Sequence, residues 1–175
     1  MSNYIHPTAV IGEDVILGDG NYIGPFCIIG YPAEHKSYWG WIKDVKGTRR
    51  CPTWGRVIIG DNNIFTGHVT IDASTKDSTG TFIGDNCFFM KHSHVGHDAY
   101  ISSDTTVSCG AKIGGHCIIG TKVNIGLNAT IHQRVEVQEG CMIGMGAVVT
   151  KTLKTEPYSK YVGNPARYLG INIPR

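Results

Sequence analysis

His97, Gly115 and Gln133 stand at successive intervals of eighteen residues, as do Asp98, His116 and Arg134, and Gly96, Gly114 and His132. If eighteen residues make one turn of a coil, these nine positions share one ridge, with layers about 4.8 Å apart. The ridge then carries three imidazoles, a carboxylate, a carboxamide and a guanidinium among glycines that leave backbone bare. A neutral imidazole, with an ordinary pKa of ~6.5, can take a proton from an attacking hydroxyl or amine near pH 7. A neighbouring carboxylate can orient the ring and steady the imidazolium that forms. The Gly115 N–H can donate to the oxyanion of a tetrahedral intermediate. No serine or cysteine lies in these columns, so direct acyl transfer is favoured over a covalent intermediate. Polar residues on a solvent-facing ridge need no function, and one histidine would be read that way; three on one ridge point to a site.

The eighteen-residue turn follows from a shorter period. Large apolar residues recur every sixth position as Ile5, Ile11, Leu17, Ile23 and Ile29, then Ile59, Phe65 and Ile71, then without a break from Ile83 to Val149. Two residues before each, the side chain is usually small, as in Ala9, Cys27, Cys87, Ala99, Ala111, Cys117, Ala129, Cys141 and Ala147. Glycine follows the large residue in eleven of the twenty repeats. Six matches neither the 3.6 period of an amphipathic helix nor the simple alternation of a strand. It matches a short strand plus a corner, three of which close a triangular coil. Residues i and i−2 share a strand face, so both point inward. The glycines are expected to relieve crowding and give the backbone freedom at the turns. The fold class is therefore all-β, a parallel β-helix with three-sided coils.

The β-helix is expected over residues 1–150, with an excursion loop at 31–56, a smaller loop near 74–81, and a tail at 151–175 packed on the last coils. The repeat itself stops after Val149. A formal net charge of +2 argues against nucleic acid or a membrane surface as the main partner. No apolar run nears the ~20 residues of a membrane span, and the first residues show no basic-then-apolar export signal. A cytoplasmic protein is expected, its six cysteines reduced and four of them core packing atoms. Loop 31–56 contains Tyr31, Tyr38, Trp39, Trp41, Trp54, Lys43, Lys46, Arg49 and Arg50. These could stack on a nucleobase and grip a diphosphate, or pack on a neighbouring subunit.

The repeat resembles that of the hexapeptide-repeat transferases, and the resemblance implies a left-handed coil, an exception to the usual hand of parallel crossovers. The run His94-Val95-Gly96-His97-Asp98 resembles the catalytic segment of the UDP-N-acetylglucosamine O-acyltransferases of lipopolysaccharide (lipid A) biosynthesis. Gly115-His116 and His132-Gln133 fall where that family has a Gly-His and a His-Gln pair, and the opening Ile5-His6-Pro7-Thr8-Ala9-Val10 and Gly163-Asn164 are also similar. The resemblance implies His97 as general base, Asp98 as its partner and Gly115 as donor to the acyl carbonyl. It further implies that His94, His116, His132 and Gln133 line the substrate pocket, and that homotrimers hold their sites between subunits. His35 and Ser37 stand where the family has an Asp and a Lys that hold the nucleotide sugar. Met145 occupies the position that helps limit acyl length, which predicts a short acyl group. The tail motif Gly163-Asn164-Pro165-Ala166-Arg167, widespread among hexapeptide acetyltransferases, points the same way, with Asn164 and Arg167 in the substrate site. The family's C-terminal helical domain has no counterpart in this sequence. No tightly bound cofactor and no metal are expected. The donor is acyl-CoA (acetyl-CoA among the candidates) or acyl carrier protein, and the acceptor a hydroxyl or amino group of a nucleotide-linked sugar.

Two other readings remain. His92 and His97 have the His-x4-His spacing of γ-class carbonic anhydrases, whose zinc needs a third histidine. The aligned upstream position is Asp72, with His68 as a possible substitute. A non-catalytic trimeric scaffold is the other, since repeat folds readily become assembly surfaces.

Overall fold

The computed structural model describes residues 2–33, 55–75 and 80–173. His35, Ser37 and the aromatic and cationic residues from Tyr38 to Trp54 lie outside them, as does the centre of the smaller loop.

Among the described residues there are twenty-two strands of two to five residues and no helix. They form three sheets of nine, seven and six strands, the faces of a left-handed parallel β-helix. The chain visits the faces in rotation: Phe88–Phe89 lies on the first, His94–Val95 on the second and Tyr100–Ile101 on the third. On the second face the rungs are Thr70, His94, Lys112, Thr130 and Val148 in register. Both insertions keep the phase. Tyr22 pairs with Ile64 across the first and Ile64 with Phe88 across the second, both separations being multiples of six.

The interior is the apolar series seen in the sequence. Ile101, Ile113, Ile119, Ile125 and Ile143 are fully buried, beside the small Ala111, Cys117 and Ala129. Each such isoleucine contributes roughly 1.5–3 kcal/mol. The interior thiols are packing atoms, and burial pushes that of Cys87 up to about 11. The repeat also runs further than expected. Tyr161 takes the large inward position beside Ile143 in a further parallel strand, Ser159–Val162. The last strand, Arg167–Ile171, turns back antiparallel against it.

The turns are made differently from the expectation. The left-handed residue is the third after the large apolar one, as at Asn86, Asp98, His116, Asn128 and Arg134, with φ between 54° and 62°. Asn and Asp tolerate that conformation better than most residues. Gly96 and Gly114 are not left-handed; they let adjacent coils approach. A Cβ at Gly114 would lie 2.6 Å from the Gln133 nitrogen, and one at Gly96 2.7 Å from that of Gly115.

Ile119→Ala should lower stability by about 2–5 kcal/mol in chemical denaturation. Its outward neighbour Ile118, which is 49% exposed, should cost far less on the same change.

Candidate active site

The corner between the second and third faces is built from successive coils by the ladder itself. The His116 N–H donates to the His97 carbonyl at 2.9 Å, and the Arg134 N–H to that of Gly115 at 2.9 Å. His97, Gly115 and Gln133 therefore stack as the interval of eighteen requires. Among the described residues the Gly115 N–H has no acceptor of its own, whereas those of Gly114 and His116 are spent on the ladder.

The absent side chain at Gly115 makes room for the His97 ring. A Cβ there would sit 2.8 Å from Nε2. Nδ1, on the other side of the ring, lies 2.8 Å from Asp98 Oδ2. Burial alone would raise the Asp98 carboxyl pKa. Hydrogen bonds from Ser74, Thr75 and His97 outweigh that and lower it to about 2. An ionised carboxylate only accepts, so Nδ1 carries the proton and donates, and neutral His97 keeps its lone pair on Nε2. The Nε2 edge of the ring faces Gly115.

His116 closes the cluster. Its Nε2 is 3.7 Å from Asp98 Oδ2, and its ring meets that of His97 edge-on with centroids 4.9 Å apart. Ligand-type atoms of His97, Asp98 and His116 lie within 4.8 Å of one another. Both Asp98 oxygens, however, already accept from hydroxyls, Oδ1 from Ser74 and Oδ2 from Thr75 at 2.6 Å.

His97 and Gly115 border a groove of about 570 Å³ on the second face, which His94, Thr70, Asp72, Lys112, Tyr31 and Pro32 also line. His94 Nδ1 is 2.8 Å from Thr70 Oγ1 and its Nε2 3.8 Å from Asp72 Oδ2.

The other expected residues are spread more widely. His132 and Gln133 are exposed on the next coil of the ridge, with His132 Nδ1 donating to the Gln133 carbonyl at 2.9 Å. Met145 is 75% exposed on a different ridge, between the first and second faces, because it follows Met142–Ile143 on the first. Asn164 sits on the tail turn and Arg167 opens the last strand, above Val148, whose carbonyl meets the Ala166 N–H. A single chain thus joins His97, Asp98, Gly115, His116 and His94, but not Met145, Asn164 or Arg167. Nor does it gather the imidazoles of the zinc reading. His68 and His92 stack on each other with centroids 4.8 Å apart, on the ridge that carries Met145, one face away from His97.

Ser74, Thr75 and Thr81 went unnoticed in the sequence. They flank an insertion, where counting by eighteen fails; counting back twenty-four from Asp98, the local separation, finds Ser74.

The coil resembles that of the hexapeptide-repeat acyltransferases. Within that class the chain is similar to the UDP-N-acetylglucosamine O-acyltransferases, as the motif suggested. It is 38% identical over 86 residues to the acyl-(acyl-carrier-protein)–UDP-N-acetylglucosamine O-acyltransferase of Anaeromyxobacter, a match covering 49% of this chain and 29% of the relative. To the enzyme of that name from Brucella ovis it is 34% identical over 123 residues, covering 56% and 44%. The chain thus spans less than half the length of these curated relatives. Among solved structures, the UDP-N-acetylglucosamine acyltransferase of Bacteroides fragilis superposes with a TM-score of 0.76 at 29% identity, covering 97% of this chain and 73% of the other. PerB of Caulobacter crescentus, solved with CoA and GDP-perosamine, shares the fold at 19% identity and a TM-score of 0.52, covering 97% and 58%. No family model matches the chain.

Because the folded Asp98 pKa lies below the ordinary 3.8, its ionisation stabilises the fold above about pH 4. That contribution is lost as pH falls towards about 2. Asp98→Asn should be less stable than wild type at neutral pH, and the gap should close over this window in acid denaturation followed by circular dichroism.

Proposed function

We propose that this protein transfers an acyl group from a thioester donor, acyl-CoA or acyl carrier protein, to a hydroxyl or amino group of a nucleotide-linked sugar. The observation that carries the reading is His97, held as the Nε2-basic tautomer by Asp98, with Nε2 in the space that a side chain on Gly115 would fill and the Gly115 N–H without an acceptor among the described residues. Nε2 takes the proton from the acceptor as its oxygen or nitrogen bonds to the thioester carbonyl carbon. The Gly115 N–H steadies the oxyanion. On collapse the C–S bond breaks, and the departing sulfur takes the proton from the imidazolium. Asp98, ionised throughout, offsets the positive charge on His97 while it lasts. His116 and His94 lie where they can contact acceptor or donor.

The relatives named above support nucleotide-sugar chemistry and an acyl-carrier donor, and the motif directs the same expectation to this chain. A homotrimer with the groove facing a neighbouring copy is part of the proposal. The ridge with exposed Phe26, Leu127 and Met145 is a surface that a neighbour would cover, and Met145 acts there as a bulky stop favouring a short acyl group.

Thiol release with acetyl-CoA or longer acyl thioesters, against a panel of UDP- and dTDP-linked sugars and amino sugars, tests the activity; silence across the panel would reject it. His97→Ala should lower turnover roughly 10²–10⁴-fold with the assembly unchanged in sedimentation, and near-normal turnover would remove His97 as the base. Met145→Ala should raise the relative rate with longer acyl donors. An unchanged chain-length profile would discard the stop.

A further inference from the structure

The smaller insertion lengthens one coil just below the ridge while keeping the six-residue phase. His94 pairs with Thr70, twenty-four residues back, whereas the rungs above are spaced by eighteen, as from His94 to Lys112. The described flanks of the insertion grip one side chain. Ser74, which is fully buried, donates its hydroxyl to Asp98 Oδ1. The Thr75 hydroxyl donates to Oδ2 at 2.6 Å, and the Thr75 N–H lies 3.3 Å from each oxygen. From the far flank, the buried Thr81 hydroxyl accepts the Asp98 N–H at 2.9 Å.

We propose that Ser74 and Thr75 are positioning residues that hold the Asp98 carboxylate against Nδ1 of His97 and so fix the tautomer that accepts a proton at Nε2. This rests on His97 being the base. Asp98 is a left-handed corner residue (φ 58°), and its short side chain would otherwise be free to rotate towards water. Two hydroxyl protons aimed at separate oxygens fix both of its side-chain torsions, leaving the rest of Oδ2 to face the imidazole. The ladder brings these hydroxyls to the corner: Ile71 pairs with Val95, so Ser74, third after Ile71, stands beneath Asp98, third after Val95. The direction of the Asp98 pKa agrees, since the same donors stabilise the anion.

Ser74→Ala, Thr75→Val and the double variant remove the donors with little change of shape, and Thr75→Ser restores one of them. Two readouts are taken on the full chain: turnover with the donor and acceptor that the thiol-release panel selects, and ¹⁵N shifts of the His97 ring without substrate. Turnover should fall roughly tenfold to a hundredfold while KM stays within about twofold. The ring should pass from a pure Nδ1–H tautomer to a mixture, and Thr75→Ser should recover both readouts. A double variant with unchanged turnover and unchanged shifts overturns the proposal, as does a loss of activity with the tautomer intact. If the double variant does not fold, the single variants carry the same readouts. The nitrogen signature is independent of chemistry, so a fully active His97→Ala would overturn the base assignment while leaving the cradle to be judged on tautomer alone.

Discussion

Every sixth side chain must fill the same narrow triangular interior, and the rest of the molecule depends on that constraint. A large apolar residue at each step leaves one way to stack the coils, with isoleucine over isoleucine, because a slip of one residue would turn the inward set out to solvent. The register observed from Phe88 to Val149 is the result. Once the interior is fixed, so is the ridge. The His97 and Gly115 backbones are neighbours because Val95 and Ile113 are. Chemistry on the surface is thus positioned by packing energy inside, and a loop need not be ordered to build it.

The corner adds a second condition. Its left-handed position disfavours β-branched residues and suits Asn, Asp and Gly, which is why Asn62, Asn86, Asp104 and Asn128 mark the turns of other coils. Asp98 therefore meets the backbone's requirement and the imidazole's at once. Such a residue is ambiguous in sequence, because an aspartate at this position needs no function to be there. What separates Asp98 from Asp104 is its surroundings. Asp98 is enclosed by hydroxyls and an imidazole, while Asp104 is exposed.

That difference marks how far the sequence was legible. The coil, its interior, the thiols as packing atoms and the stacking of His97 on Gly115 all follow from counting, since the period is strict there. Counting fails wherever the chain departs from it. Ser74 and Thr75 sit beside an insertion, so no column of eighteen leads from them to Asp98. Tyr161 keeps the phase of Ile143, but the polar Thr155 at the intervening sixth position breaks the run of large apolar residues before it. Met145 carries a different lesson. It lies three coils above His92 on the ridge one face away, and only a second chain could bring that ridge to the groove. Of the two roles expected of the glycine after a large apolar residue, relief of crowding is the one that Gly96 and Gly114 fill, while the left-handed turn falls two residues later.

The Asp98 cluster also shows why three metal-type ligands need not make a metal site. Zinc held by His97 and Asp98 would require their facing atoms to turn towards a common centre, giving up the 2.8 Å hydrogen bond between them. It would also have to compete with two hydroxyl protons already on the carboxylate. Those donors lower the basicity of Asp98, which keeps the shared proton on His97 Nδ1 and not on the carboxylate. Were the carboxyl instead protonated, its O–H would donate to a bare Nδ1 and the neutral ring would carry its one hydrogen on Nε2, where no acceptor hydroxyl could be deprotonated. The hydroxyl cradle therefore works in the direction that base catalysis needs: it weakens the anion enough to orient the imidazole without taking its proton.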